Sequence, residues 1–296
     1  MLKKISISSL MILLLSFCLT ACEFPAEELE KEASAFKRLH PEISHTYQLE
    51  NKQMHFVAVG DVEKQPLIFI HGSPGSWTGW LHFLKNEDLL KDFYLIAVDR
   101  PGFGDSQKGV SEPSLKNQAR LIFEVIKLLK LKKPILVGHS LGGPVIARMA
   151  VDYPYQVGGL VFVAASVSPE LEHTKWFQYP AAWFGIRSII PEALRVCNEE
   201  ILALKPELEK LIPLWSKIKA QIAIIQGDQD ELVPPANKDF LLQHLRPELI
   251  TDVITDSELN HFVPWKRPDL IIFAIKSVSN AIKNESAKLK GAKDEP

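Results

Sequence analysis

Hydrophobic and polar positions divide the chain into two regimes. Near-continuous apolar runs of strand length fall at 67–70, 94–98, 135–137, 160–163 and 222–225. Such runs suit strands covered on both faces, as in a parallel sheet. Residues 47–49 and 54–59 alternate between apolar and polar or small positions, with polar 50–53 between them, which predicts a hairpin. Helical periodicity over 80–90, 115–129 and 141–153 separates the apolar runs, and the alternation argues for a doubly wound sheet. It stops after Ala165. From 167 to 219 the pattern is helical only, in stretches 176–190, 191–204 and 206–219, punctuated by Pro169, Pro180, Pro191, Pro206 and Pro213. This predicts a helical insertion lying over the sheet. Strand then resumes at 222, followed by a helix over 236–245, a strand over 249–254 and a last helix over 268–282. Residues 284–296 are polar and charged, and are expected to be disordered.

The ends and the composition narrow the setting. Lys3 and Lys4 precede a mostly apolar stretch, 5–20, which is short of the roughly 20 residues a spanning helix needs. It ends in Leu19-Thr20-Ala21-Cys22, which resembles the bacterial lipobox. The resemblance implies cleavage before Cys22, acylation of Cys22, and a lipid anchor whose several chains hold it in the bilayer. The alternatives are an ordinary signal peptide cut near Ala21 and an uncleaved anchor. The location implied is the bacterial cell envelope, on the periplasmic face of the outer membrane in a Gram-negative cell. Residues 23–41 are charged, with Leu29, Ala33, Phe36 and Leu39 at helical spacing, and read as a tether carrying a short amphipathic helix. The formal charge is −2, and no basic stripe points to nucleic acid. Of three cysteines, only Cys22 and Cys197 follow the leader, so no internal disulfide is expected. Cys197 reads as a small buried apolar residue.

The chemistry centres on Gly138-His139-Ser140-Leu141-Gly142-Gly143, between the apolar run at 135–137 and a helical stretch. Strand, sharp turn and helix around G-x-S-x-G form a nucleophile elbow, which holds its serine in strained backbone geometry. A serine hydroxyl is a weak nucleophile until a histidine takes its proton and an acid orients that histidine. In folds with this elbow the order is serine, acid, histidine. Asp228, Asp230 and Glu231 all follow the strand at 222–225. His261, in Asn260-His261-Phe262-Val263-Pro264, is the last histidine in the chain.

Gly227, Asp230, Val233 and Pro234 fit G-x-x-D-x-x-V-P, and here the chain resembles the α/β-hydrolase family. The resemblance covers about residues 54–281. It implies an α/β-hydrolase fold: a mostly parallel eight-stranded sheet flanked by helices, with a helical cap. It selects Asp230 as the acid, with Asp228 as the alternative, and His261 as the base, although Asn260 replaces the commoner glycine. His71-Gly72-Ser73-Pro74 matches the family's H-G-x-P loop. That match implies that the Ser73 N–H, with that of Leu141, stabilises an oxyanion, and that His71 supports the loop. Asp99-Arg100-Pro101-Gly102-Phe103-Gly104-Asp105-Ser106 resembles the family's structural turn. His139 reads as a packing or hydrogen-bonding residue. Trp77, Trp176 and Trp183 are candidates for the substrate pocket, beside a larger expectation that the tryptophans pack the core.

The implied layout is a signal peptide (1–21), a tether (22–44), a core in two parts (45–166 and 221–283), a cap (167–220) and a tail (284–296). The implied activity is that of a monomeric, carboxylesterase-like serine hydrolase cleaving an ester or related acyl bond of a small molecule. Carbon–carbon bond hydrolysis, aminopeptidase, lactonase and perhydrolase chemistry are alternatives on the same fold, as is a noncatalytic binding lipoprotein. Haloalkane dehalogenases and epoxide hydrolases use an aspartate where this chain has Ser140. No metal-ligand spacing, phosphate loop or cofactor motif is present, so no metal and no cofactor are expected.

Overall fold

The computed structural model describes residues 26–173 and 190–291. Helix α1 (Ala26–Leu39) leads into strands β1 (Ser44–Leu49), β2 (Lys52–Val59) and β3 (Gln65–Ile70). After a 3-10 turn at Trp77–Trp80 come α2 (Leu81–Leu84), α3 (Glu87–Asp92), β4 (Phe93–Val98), α4 (Leu115–Leu128), β5 (Ile135–His139), α5 (Gly142–Asp152) and β6 (Gly159–Val163). Helix α6 (Glu192–Leu211) then precedes β7 (Gln221–Gly227), α7 (Asn237–His244), β8 (Ile250–Asp256), α8 (Val263–Lys266) and α9 (Pro268–Gly291).

The eight strands form one sheet in the order β1-β2-β4-β3-β5-β6-β7-β8. β1 and β2 pair antiparallel, β2 joins β4 antiparallel, and every pairing from β4 to β8 is parallel. Side chains alternate across a strand. In β3, Leu67 and Phe69 enter the core on one face, while Ile68 and Ile70 enter the core on the other. Buried apolar residues cover both faces of the sheet, which is why these strands read as unbroken apolar runs. Phe69 packs against Trp80 and Phe83 at ring distances of 5.0 and 5.4 Å. Truncating such an aromatic costs about 3–5 kcal/mol.

Helix starts follow local chemistry. The Asn86 carboxamide accepts from Leu89 N at 2.9 Å and caps α3, and the Ser114 hydroxyl caps α4. Four expectations are corrected. The hairpin turn is tighter than residues 50–53: β2 begins at Lys52, and the turn is made by Glu50, at φ 56°, and Asn51. Residues 80–90 are two short helices after a 3-10 turn, not one. Pro206 does not separate two helices. It lies inside α6, where it removes a single N–H donor and the buried face of Val196, Leu204 and Leu208 runs through it. Residues 284–291 are helical, because α9 continues to Gly291 from the buried stripe of Ile271, Ala274, Ile275 and Val278. The proposed signal peptide, Cys22, Trp176 and Trp183 lie outside the described residues, as do residues 292–296.

Candidate active site

The sheet's parallel strands place the functional loops at one edge, beyond their carboxyl ends. Ser140 follows β5 in the left-handed region at φ 53°. It is held there by its N–H on Val163 O at 3.0 Å and by its carbonyl, which accepts from Gly143 and Ser166. The turn is crowded: a Cβ on Gly138 would stand 2.5 Å from Gly142 O, and one on Gly142 2.4 Å from Ile70 O. Only glycine fits at both. Leu141 is the N-terminal cap position of α5, so its N–H belongs to the unpaired first-turn donors at the positive end of the helix dipole.

Asp230 and His261 come together from loops after β7 and β8. His261 Nδ1 donates to Asp230 Oδ2 at 2.8 Å, which leaves Nε2 as the ring nitrogen available to accept a proton. The other carboxylate oxygen accepts from Leu232 N and Val233 N at 3.0 and 2.8 Å. Asp230 and His261 are 4% and 7% exposed, whereas Asp228 and Glu231 are exposed. Burial and partners thus separate Asp230 from its competitors. His139, next to Ser140, donates from Nε2 to the His261 carbonyl at 3.0 Å, and the two rings lie 4.7 Å apart. Burial, followed by the neighbouring His261, pushes the His139 pKa down to about 3, so the ring is neutral.

The loop after β3 lies against the elbow: a Cβ on Gly72 would stand 2.9 Å from that of Ser140. His71 Nδ1 donates to Gly72 O at 2.7 Å, and its Nε2 accepts from Arg100 N at 2.9 Å. Burial, then the Arg100 charge, holds the His71 pKa well below the usual histidine value. Asp99 is wholly buried and structural in its contacts: it accepts from Trp77 N, Asp105 N and His55 Nδ1. Trp77 is 4% exposed and sits in the core cluster with Trp80, where most of the tryptophans are expected. Cys197 is buried, as its reading required.

Two groups escaped sequence reasoning. Arg100 and Glu200 form a wholly buried ion pair beside the loop. A charged residue is almost never fully buried unless paired, but nothing in the sequence links positions a hundred apart. Glu172 folds back to accept from the Ser166 hydroxyl, and burial raises its pKa. Nothing in the sequence marks Glu172 as the partner of Ser166.

The family model described as the alpha/beta hydrolase fold matches residues 65–185. A 2-hydroxy-6-oxononadienedioate/2-hydroxy-6-oxononatrienedioate hydrolase of Paraburkholderia phymatum is 35% identical over 214 residues, covering 58% of this chain and 73% of that enzyme. This chain belongs to the α/β-hydrolase family. A Pseudomonas enzyme of the same name is 33% identical over 115 residues, covering 38% of this chain and 40% of that one, so the chain spans less than half of its length. Among solved α/β-hydrolase folds, a bacterial membrane phospholipase A superposes with a TM-score of 0.63 at 20% identity, covering 93% of this chain and 97% of its own.

Proposed function

We propose that this α/β-hydrolase is a serine hydrolase that opens an ester or related acyl bond of a small substrate through an acyl-enzyme on Ser140. The observation that carries the reading is the buried His261–Asp230 pair, held through the His261 carbonyl to His139, the residue before a serine at positive φ. His261 Nε2 takes the Ser140 proton as Oγ adds to the carbonyl carbon. The oxyanion accepts from Ser73 N–H and Leu141 N–H. Collapse expels the alcohol with the proton from His261, and water, deprotonated by the same nitrogen, releases the acid. Each oxyanion donor contributes roughly 10²–10³ in kcat.

A second reading is carbon–carbon bond hydrolysis, favoured by the names of the Paraburkholderia and Pseudomonas relatives. Their named substrate carries a ketone and two carboxylates but no ester. Among the described residues the buried cation at this edge is Arg100, which Glu200 already neutralises, so it offers nothing to a dicarboxylate. That supports the ester. Initial rates on p-nitrophenyl acetate, butyrate and octanoate, beside 2-hydroxy-6-oxononadienedioate, decide: turnover of the dienedioate and none of the esters overturns the first reading.

The helical segment between β6 and β7 is proposed as the cap, and Cys22 as the acylated anchor. The docking of α1 supports a fixed orientation at a membrane: Thr78 donates to Glu30 at 2.9 Å, Lys37 pairs with Asp105 at 2.7 Å, and Ala33 is 1% exposed. Only residues 23–25 separate Cys22 from this helix, and n residues span at most about 3.6 Å × n.

A further inference from the structure

We propose that Arg100 and Glu200 are positioning residues that aim the Ser73 N–H at the oxyanion, which makes α6 part of the catalytic apparatus. This rests on the functional reading above. Arg100 has five N–H donors in a planar fork, and all five are used. Nε donates to His71 O at 2.9 Å. Nη1 donates to Gln118 Oε1 at 2.9 Å and Glu200 Oε1 at 2.8 Å. Nη2 donates to Gly72 O at 2.9 Å and Glu200 Oε2 at 3.1 Å. The carboxylate is equally saturated: besides the guanidinium, Glu200 accepts from Gln118 Nε2 at 2.9 Å and from the Ser73 hydroxyl at 2.7 Å.

These bonds converge on one peptide unit. Gly72 O accepts from Arg100 Nη2 and from His71 Nδ1. In a trans peptide the N–H points opposite to the C=O. Holding Gly72 O toward Arg100 therefore turns the Ser73 N–H away from Arg100. The other half of the residue is pinned separately, because the Ser73 hydroxyl is spent on Glu200. It cannot rotate to serve the substrate, so the backbone N–H is the donor Ser73 has left. Gly72 packs against Ser140, so the unit that is held lies where the oxyanion forms.

Glu200 does two jobs at once. It neutralises a guanidinium that is 0% exposed, and it brings the brace from the inserted helix. Removing one partner of a buried pair leaves an uncompensated charge, which is strongly destabilising, whereas replacing both by apolar residues is often tolerated. That difference supplies the control. The double variant Arg100→Met with Glu200→Met keeps a filled, uncharged interior and deletes the brace.

The test uses the full chain as wild type, Glu200→Gln, the Met/Met double variant and Ser140→Ala. Active sites are titrated with a fluorophosphonate, so that kcat refers to folded enzyme. The affinity for a trifluoromethyl ketone, which forms an oxyanion-bearing adduct, is measured beside KM for the matching ester. The expected result is a fall in kcat of about 10–100-fold in both brace variants, a parallel weakening of ketone binding, and KM within about twofold, because a misaimed donor forfeits part of the effect of a missing one. A double variant that melts like wild type and keeps wild-type kcat per titrated site and ketone affinity overturns the proposal. Turnover by Ser140→Ala equal to wild type instead overturns the functional reading on which it rests.

Discussion

At the scale of single residues, the site works by fixing protonation states and directions. His139 illustrates the cost. Its folded pKa lies near 3, below the unfolded value of about 6.5, so the unfolded chain binds more protons between those limits. His139 therefore weakens the fold as pH falls from 6.5 toward 3 and contributes no pH dependence above that window. His71 acts in the same direction. We predict that His139→Gln, which keeps a donor for the His261 carbonyl, flattens the slope of unfolding free energy against pH in that window by about 1.4 kcal/mol per unit, the value of one proton. Urea unfolding at pH 4, 5, 6 and 7 reads it; parallel curves for variant and wild type would refute it. This residue was legible as a non-base because a histidine beside an elbow serine has packed neighbours on every side. Arg100 stood in a quoted turn motif, but its purpose was invisible until Glu200 arrived from a distant helix.

Elements were readable where one physical cause dominated. The parallel strands are apolar on both faces, so their runs needed no partner to be recognised. The order of serine, acid and histidine followed from the loops at one sheet edge. Boundaries failed where tertiary packing overrode composition. Residues 284–291 are polar in sum, yet Glu285, Ala287, Lys288 and Leu289 are good helix formers and extend a helix already nucleated by its buried face. Pro206 looks like a stop, but α6 continues because its apolar stripe is buried on both sides of it. The elbow itself is an element held by contact distances. Gly142→Ala would drive a Cβ to 2.4 Å from Ile70 O, which forces β3 and α5 apart. Overpacking of this kind costs about 1–3 kcal/mol. Differential scanning calorimetry is expected to show a lower Tm, with slower fluorophosphonate labelling; an unchanged Tm and labelling rate would mean that the turn is looser than described.

For the whole molecule, the tether end bears on location. No described helix is long and apolar enough to cross a membrane. An anchor through Cys22 would need none, and α1 ties the tether end to the 3-10 turn beside the loop that carries Ser73. We predict that Cys22→Ala, expressed with its leader, leaves the membrane fraction while turnover of a soluble ester per titrated site stays within twofold, because α1 docks through its own contacts. Equal partition of variant and wild type would refute the anchor. The fold, the sheet and the family are independent of that outcome, and so is the chemistry proposed for the edge of the sheet. That chemistry is tested most directly by digesting the fluorophosphonate-labelled full chain and measuring the modified peptide by mass spectrometry, beside kcat for Ser140→Ala. One adduct is expected, on Ser140, in wild type and none in the variant, whose esterase turnover falls by on the order of 10⁴ or more. An adduct elsewhere, or full turnover without Ser140, would contradict it.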